Sequence, residues 1–238
     1  MMLVTMPTTL ALLTATTVFG QAAPNPEVQE KVAAIKQSMA QNQAQLKQYS
    51  WVETTAISLK GEVKKTEQKN CMYGADGKVM KTPIAAAPAA PPPAKASGGR
   101  RSGRVKEHVV ENKVEDMKEY MQKAGALIKQ YVPPDPQAMQ ASLKAGKAAI
   151  DKASGKVVFN DYAKPGDKMT LSLDPAAKKL SSFEVATYMD KPEDTVTLNA
   201  NFSSLDDGTS FMQESILDVK AKQIVVKTTN AGYKKAAK

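Results

Sequence analysis

The chain is poor in the residues that usually carry chemistry. It has one cysteine, Cys71, and one histidine, His108, among 238 residues. A lone cysteine excludes an internal disulfide, so folding must rest on apolar burial. A nucleophilic thiol needs an imidazole beside it, and the single histidine lies across a low-complexity spacer. Cys71 therefore reads as a sheltered strand residue and His108 as a solvated residue at a helix start. With one of each there is no ligand set for a transition metal, and no cofactor is implied. Aromatic residues make up 5% of the chain. None lies between Tyr73 and Tyr120, where the arginines cluster. The interleaving of rings and cations typical of nucleic-acid binders is thus missing, and no nucleic-acid partner is expected.

Other motifs are lacking too. Glu193-Asp194 and Asp206-Asp207-Gly208 fall in hairpin connections, where such residues are turn formers, and nothing in their spacing aims paired acids at a common cleft. Gly98-Gly99 and Gly74-Ala75-Asp76-Gly77 lack the lysine and hydroxyl of a phosphate loop. The chain reads as non-enzymatic.

The first twenty residues, MMLVTMPTTLALLTATTVFG, carry no charge. Leu10 to Phe19 is apolar but too short to span ~30 Å of hydrocarbon as a helix. With Val18 and Gly20 ahead of QAAP, residues 1–20 read as a secretory signal peptide. It is cut after Gly20, or less favourably after Ala22 or Ala23, giving a periplasmic or secreted protein. The basic residues that normally precede such a run are absent, which points to a start codon upstream of Met1.

The net charge of +9 is concentrated. Lys95, Arg100, Arg101, Arg104 and Lys106 follow one another without an acid between them. Arg100, Arg101 and Arg104 are the candidates for contact with an anionic membrane surface; a solvated linker is the alternative reading. The segment 85–103 consists of Ala, Pro, Gly, Ser, Lys and Arg. It cannot bury enough apolar area to offset its ordering entropy and is expected to be a disordered insertion.

Periodicity organises the rest. Asn25-Pro26 is a cap followed by a first-turn proline, and Val28, Val32, Ile35, Met39 and Leu46 recur at helical steps, with polar Asn42 in the gap. Period-two segments follow at Ser50–Leu59, Glu62–Tyr73 and Lys78–Thr82, the second too polar for a central strand. A second helix from Arg104 to Tyr131 carries Val110, Val114, Met117, Met121, Ala124, Ile128 and Tyr131 at a strict four-three spacing. Asp135-Pro136 opens a third, with Met139, Leu143 and Ile150, running to about Ala153. From Gly155 onward six alternating segments joined by short turns predict an antiparallel meander. The economical assembly is one α+β domain over residues 21–238, a curved antiparallel sheet with amphipathic helices on its concave face.

The order of a capped helix, a Tyr-Ser-Trp strand start, YGADGKV, a helical middle, and a meander containing LSLDPAAKKLSSFEV resembles the LolA-type periplasmic carriers of outer-membrane lipoproteins. That resemblance implies an open half-barrel whose helices form a lid over an apolar cavity for acyl chains. The carriers' early-strand arginine has no counterpart near Asn70–Tyr73, and no functional residue is carried over. The candidate lining in this chain is Met39, Trp51, Met117, Met121, Met139, Phe183 and Phe202. The expected partner is a lipid or lipidated protein. The alternative is a structural or interaction module of the envelope with a solid core and no ligand.

Overall fold

The computed structural model describes residues 26–84, 103–174, 176–177 and 179–235, and for 103–115 the backbone alone. The leader expected over 1–20 and the spacer from 85 to 102 lie outside the described residues. Gly103, expected to end the spacer, opens a helix instead.

The elements in chain order are α1 (Pro26–Leu46), β1 (Tyr49–Leu59), β2 (Glu62–Tyr73), β3 (Val79–Pro83), α2 (Gly103–Ile128), α3 (Pro136–Lys144), β4 (Ala148–Ile150) and β5 (Val157–Asn160). Then come β6 (Lys168–Leu173), β7 (Leu180–Tyr188), β8 (Thr195–Ser204), β9 (Ser210–Val219) and β10 (Ile224–Lys235). The strands form a single antiparallel sheet of ten in the order β3-β2-β1-β10-β9-β8-β7-β6-β5-β4, open at both edges. Every neighbour pair is a local hairpin except β1 with β10, which joins the first strand to the last. The fold is α+β, a curved open sheet with helices, as the alternation predicts.

Local chemistry accounts for the boundaries. Lys60 and Gly61 both have positive φ, 53° and 81°, the geometry of a tight hairpin turn between β1 and β2. Asp135 caps α3 by accepting from the Gln137 amide at 2.8 Å, and Pro136 follows at the first helical position. The third helix is shorter than its spacing suggests. Gly146, with φ of 68°, lets the Gly146 and Lys147 amides turn back onto the carbonyls of Leu143 and Ser142, which ends α3. Ile150 then belongs to strand β4 and not to the helix, its apolar side chain serving the sheet edge.

The helices pack on one face. Val28, Val32 and Ile35 of α1 and Met139 and Leu143 of α3 are buried with Val157, Phe159, Met169, Leu171, Phe183 and Val185 of the sheet. A second cluster forms around Ala124 of α2, against Val196, Val219 and Ile224. Asn42, the polar residue in the α1 stripe, accepts from the Ser210 amide and donates to the Ser210 carbonyl, both at 2.6 Å. It pins the helix to the start of β9. No described helix is long and apolar enough to cross a membrane.

Candidate ligand-binding face

Register fixes which side chains share the helix-covered face, because residues directly opposite across an antiparallel sheet point the same way. One row runs Phe159, Met169, Val185, Leu198, Leu217, Val226, Ile57. The next runs Val157, Leu171, Phe183, Ala200, Ser215, Thr228, Thr55. The second row thus changes from apolar to hydroxyl between β8 and β9. A third, Asn230, Glu53, Lys69, is polar throughout.

Coverage changes at the same place. From β5 to β7 both apolar rows are sealed, with Phe159, Met169 and Leu171 at 0% exposure. From β9 to β1 the facing residues Leu217, Val226, Ile57, Ser215, Thr228 and Thr55 are only half-buried. The half-buried apolar side chains packed around this region include Met39, Phe202 and Met212 against the first cluster and Met117 and Met121 against the second. Leu127, Ile128 and Leu217 touch both clusters and bridge them.

The expected lining residues are therefore divided. Met39, Phe202, Met117 and Met121 lie along the half-covered rim. Met139 and Phe183 are sealed in the first cluster. Trp51 sits away from both clusters, in an aromatic group at one end of the sheet, stacked on Tyr233 (centroids 5.5 Å apart, 12° between planes) and tilted against Tyr73 at 5.7 Å. Arg100 and Arg101 lie outside the described residues. Arg104 falls in the first turn of α2, where the backbone alone is described.

Beside Trp51 the sheet presents a polar group that the sequence reading passed over. The Trp51 indole donates to Asn230 Oδ1 at 3.1 Å, and Asn230 Nδ2 donates to the Met212 carbonyl at 2.9 Å. Glu53, 9% exposed, takes both carboxylate oxygens to Lys81 Nζ, at 2.8 and 2.6 Å. A buried carboxylate with its counter-ion presents little net charge but keeps strong hydrogen-bonding direction. Cys71 lies opposite Trp51 and Lys81, is buried, and has its thiol pushed up by burial, with Glu53 adding to the effect. A raised thiol is a poor nucleophile, consistent with a sheltered role. The signal available in sequence was parity. Glu53 falls on the same side of β1 as Trp51, Thr55 and Ile57, a charge on an inward-facing position.

The ends of the helices are held by phenols. Tyr131, just past α2, is fully buried and donates to Asp167 at 2.5 Å, with Thr187 at 2.9 Å. Asp167 also accepts from the amides of Tyr162, Ala163 and Lys164, at 2.6, 3.0 and 2.9 Å. It folds the β5–β6 connection under the helix. Burial, then the Asp167 hydrogen bond, push the Tyr131 phenol far above its usual range. Tyr120 of α2 donates to Asp194 in the β7–β8 turn at 2.5 Å. At the opposite end Tyr49 donates to Asp207 at 2.5 Å, and Lys235 stands 3.3 Å from the same carboxylate. The two acid pairs flagged in the sequence thus occupy turns and tie them to neighbouring elements. Among the described residues no cluster of three or more His, Cys, Asp or Glu could hold a metal ion.

A groove of about 490 Å³ runs between α1 and α3. Its floor is Val32, Ala33, Met139 and Leu143, and its rim includes Gln29, Glu30, Lys36 and Gln140. Val32, Met139 and Leu143 are already buried, so the groove offers little fresh apolar surface.

No protein-family model matches the chain, and no curated protein does. Solved structures do resemble it in arrangement. A DUF1329 family protein from Desulfovibrio piger shares 8% identity at a TM-score of 0.41, over 90% of this chain and 95% of that one. A LolA superfamily protein from Nitrosomonas europaea shares 11% identity at a TM-score of 0.35, over 85% and 94%. The likeness is weak and concerns layout alone.

Proposed function

We propose that this is an exported, non-catalytic protein of the cell envelope that binds a hydrophobic ligand, a lipid or the acyl chain of a lipidated protein, between its helices and its sheet. The observation that carries the reading is the half-covered stretch of inner face from β9 to β1, rimmed by Met39, Met117, Met121, Met212 and Phe202. Methionine adapts its shape at little cost, which suits a lining that must close in the absence of ligand and yield in its presence. An acyl tail of a dozen methylenes gains roughly 10 kcal/mol gross on burial, at ~0.8 kcal/mol each, enough to offset much of the association cost. The sealed interior under α1 and α3 favours a second reading, a solid interaction module whose exposed edge strand β3 faces a partner protein.

Native mass spectrometry after mild purification should find co-purified lipid, and the purified protein should take up a fluorescent fatty acid. Repeatedly empty protein without uptake would leave the interaction module. In this reading residues 1–20 direct export, and residues 21–238 fold as one domain. Arg100 and Arg101 at the basic end of the spacer, with Arg104 in the first turn of α2, rest on anionic headgroups. Equal binding of intact and insertion-deleted protein to liposomes containing anionic lipid would remove that last element.

A further inference from the structure

The inner face of β1 and β10 is graded from polar to apolar along the strands. Starting at the aromatic end, β1 presents Glu53, Thr55, Ile57 and Leu59, and β10 presents opposite them Asn230, Thr228, Val226 and Ile224. Ser215 of β9 extends the hydroxyl row beyond Thr228, and Leu217 extends the apolar row beyond Val226. The change from the buried Glu53 carboxylate, paired with the exposed Lys81, to the aliphatic Ile57 takes four residues, about 13 Å at ~3.3 Å per residue. A face built only to hold a hydrocarbon tail has no use for this gradient. Inward hydroxyls and a desolvated carboxylate oppose pure apolar contact.

From this the geometry points to a single-chain amphiphile with an uncharged, hydroxyl-bearing head, of the monoacylglycerol kind, lying along β1 and β10. The inference rests on the hydrophobic-ligand reading and adds the ligand's polar end. The tail lies over Ile57, Val226 and Leu217, toward the half-buried Met117 and Met121 of α2. The head lies over Thr55, Thr228 and Ser215, close to Glu53 and Asn230. Charge selects the head. The charges the register places beside this position are already paired, Glu53 through both oxygens with Lys81 and Glu67, opposite Thr55, with Lys65 and Lys69, so a charged head of either sign must compete with an existing ion pair. A neutral hydroxyl head both donates and accepts, which matches threonine and serine without breaking the pair. Thr55 and Thr228 stand with their hydroxyls 3.5 Å apart, close enough to share one ligand oxygen.

Trp51, the one tryptophan, hydrogen-bonds Asn230 and reports on the head region by its own fluorescence. The experiment titrates the full protein with monododecanoylglycerol and, separately, with dodecanoate below their aggregation concentrations. The expected result is a shift of Trp51 emission and about tenfold tighter binding of the glycerol ester, the value of one to two net hydrogen bonds. The Thr55→Val/Thr228→Val variant keeps shape and strand preference and should lose that preference while still binding dodecanoate. Ser215→Ala, which touches the same row more lightly, serves if the double variant melts early. Equal affinity for both probes, or a preference untouched by either variant, overturns the inference and leaves the hydrophobic-ligand reading standing. Binding of neither probe overturns both.

Discussion

Replacing Asn42 by alanine separates a movable cover from a solid core. The fully buried residues of α1, Val28, Val32 and Ile35, all lie in its first half. Beyond Ile35 the helix is held by half-buried Met39 and Leu46 and by the two hydrogen bonds from Asn42 to the Ser210 main chain, each 2.6 Å. Each bond contributes about 1 kcal/mol net, so Asn42→Ala removes about 2 kcal/mol, roughly a thirtyfold change in an equilibrium constant. The assay is native-state hydrogen exchange read peptide by peptide. If the second half of α1 opens by itself, amides around 38–48 should exchange about thirtyfold faster, and those of β6 to β8 should keep their wild-type rates. If the cover and core unfold only together, protection falls by the same factor in helix and sheet. That uniform result would refute an opening cover at this end of α1.

Four further outcomes are expected. Tyr131→Phe removes one of the four donors to the Asp167 carboxylate and should cost about 1.5–3 kcal/mol, read as a lower denaturant midpoint. Because the folded Tyr131 phenol is raised, its contribution is complete below the unfolded value near pH 10 and declines above it, so the variant should also show a flatter alkaline limb. Asp207 is depressed below the usual carboxylate range by the Tyr49 hydrogen bond first, then by Thr209, so its stabilisation is present above about pH 4 and fades as pH falls further. Asp207→Asn should flatten the acid limb of a Tm-against-pH profile, and an unchanged limb would contradict the assignment. Gly232 has φ of 66° with open space around its missing Cβ, so Gly232→Ala should cost about 1–2 kcal/mol from backbone strain alone, checked by chemical denaturation. Cys71 should resist a thiol reagent at pH 8 until denaturant is added; rapid labelling of native protein would show that β2 opens readily.

Period and punctuation made most of the fold legible. β2 and β8 run as the alternation predicts, because Lys60-Gly61, Lys191-Pro192 and Asp207-Gly208 mark their ends unambiguously. The α3–β4 boundary escaped because Ile150 continues the helical spacing of Met139 and Leu143, and Gly146 outweighs that spacing through backbone geometry. The site was only half legible. Met39, Met117 and Met121 stand out on helical stripes, but burial separates them from Met139, and burial depends on which strand each stripe meets. Thr228 and Asn230 acquire meaning only through the β1–β10 register, a pairing between the first strand and the last that local pattern does not contain.

That pairing has a kinetic consequence. Tyr49 finds its partner in Lys235, so β1 to β3 have no sheet to join until the last strand has been made. A contact between residues so distant along the chain closes slowly, since the loop entropy is spent before any bond forms. A chain emerging N-terminus first would thus leave β1 to β3 without their sheet partner until β10 has followed. Shortening the C-terminus by one strand would strand three others, leaving an incomplete, sticky half-sheet in place of a slightly smaller protein.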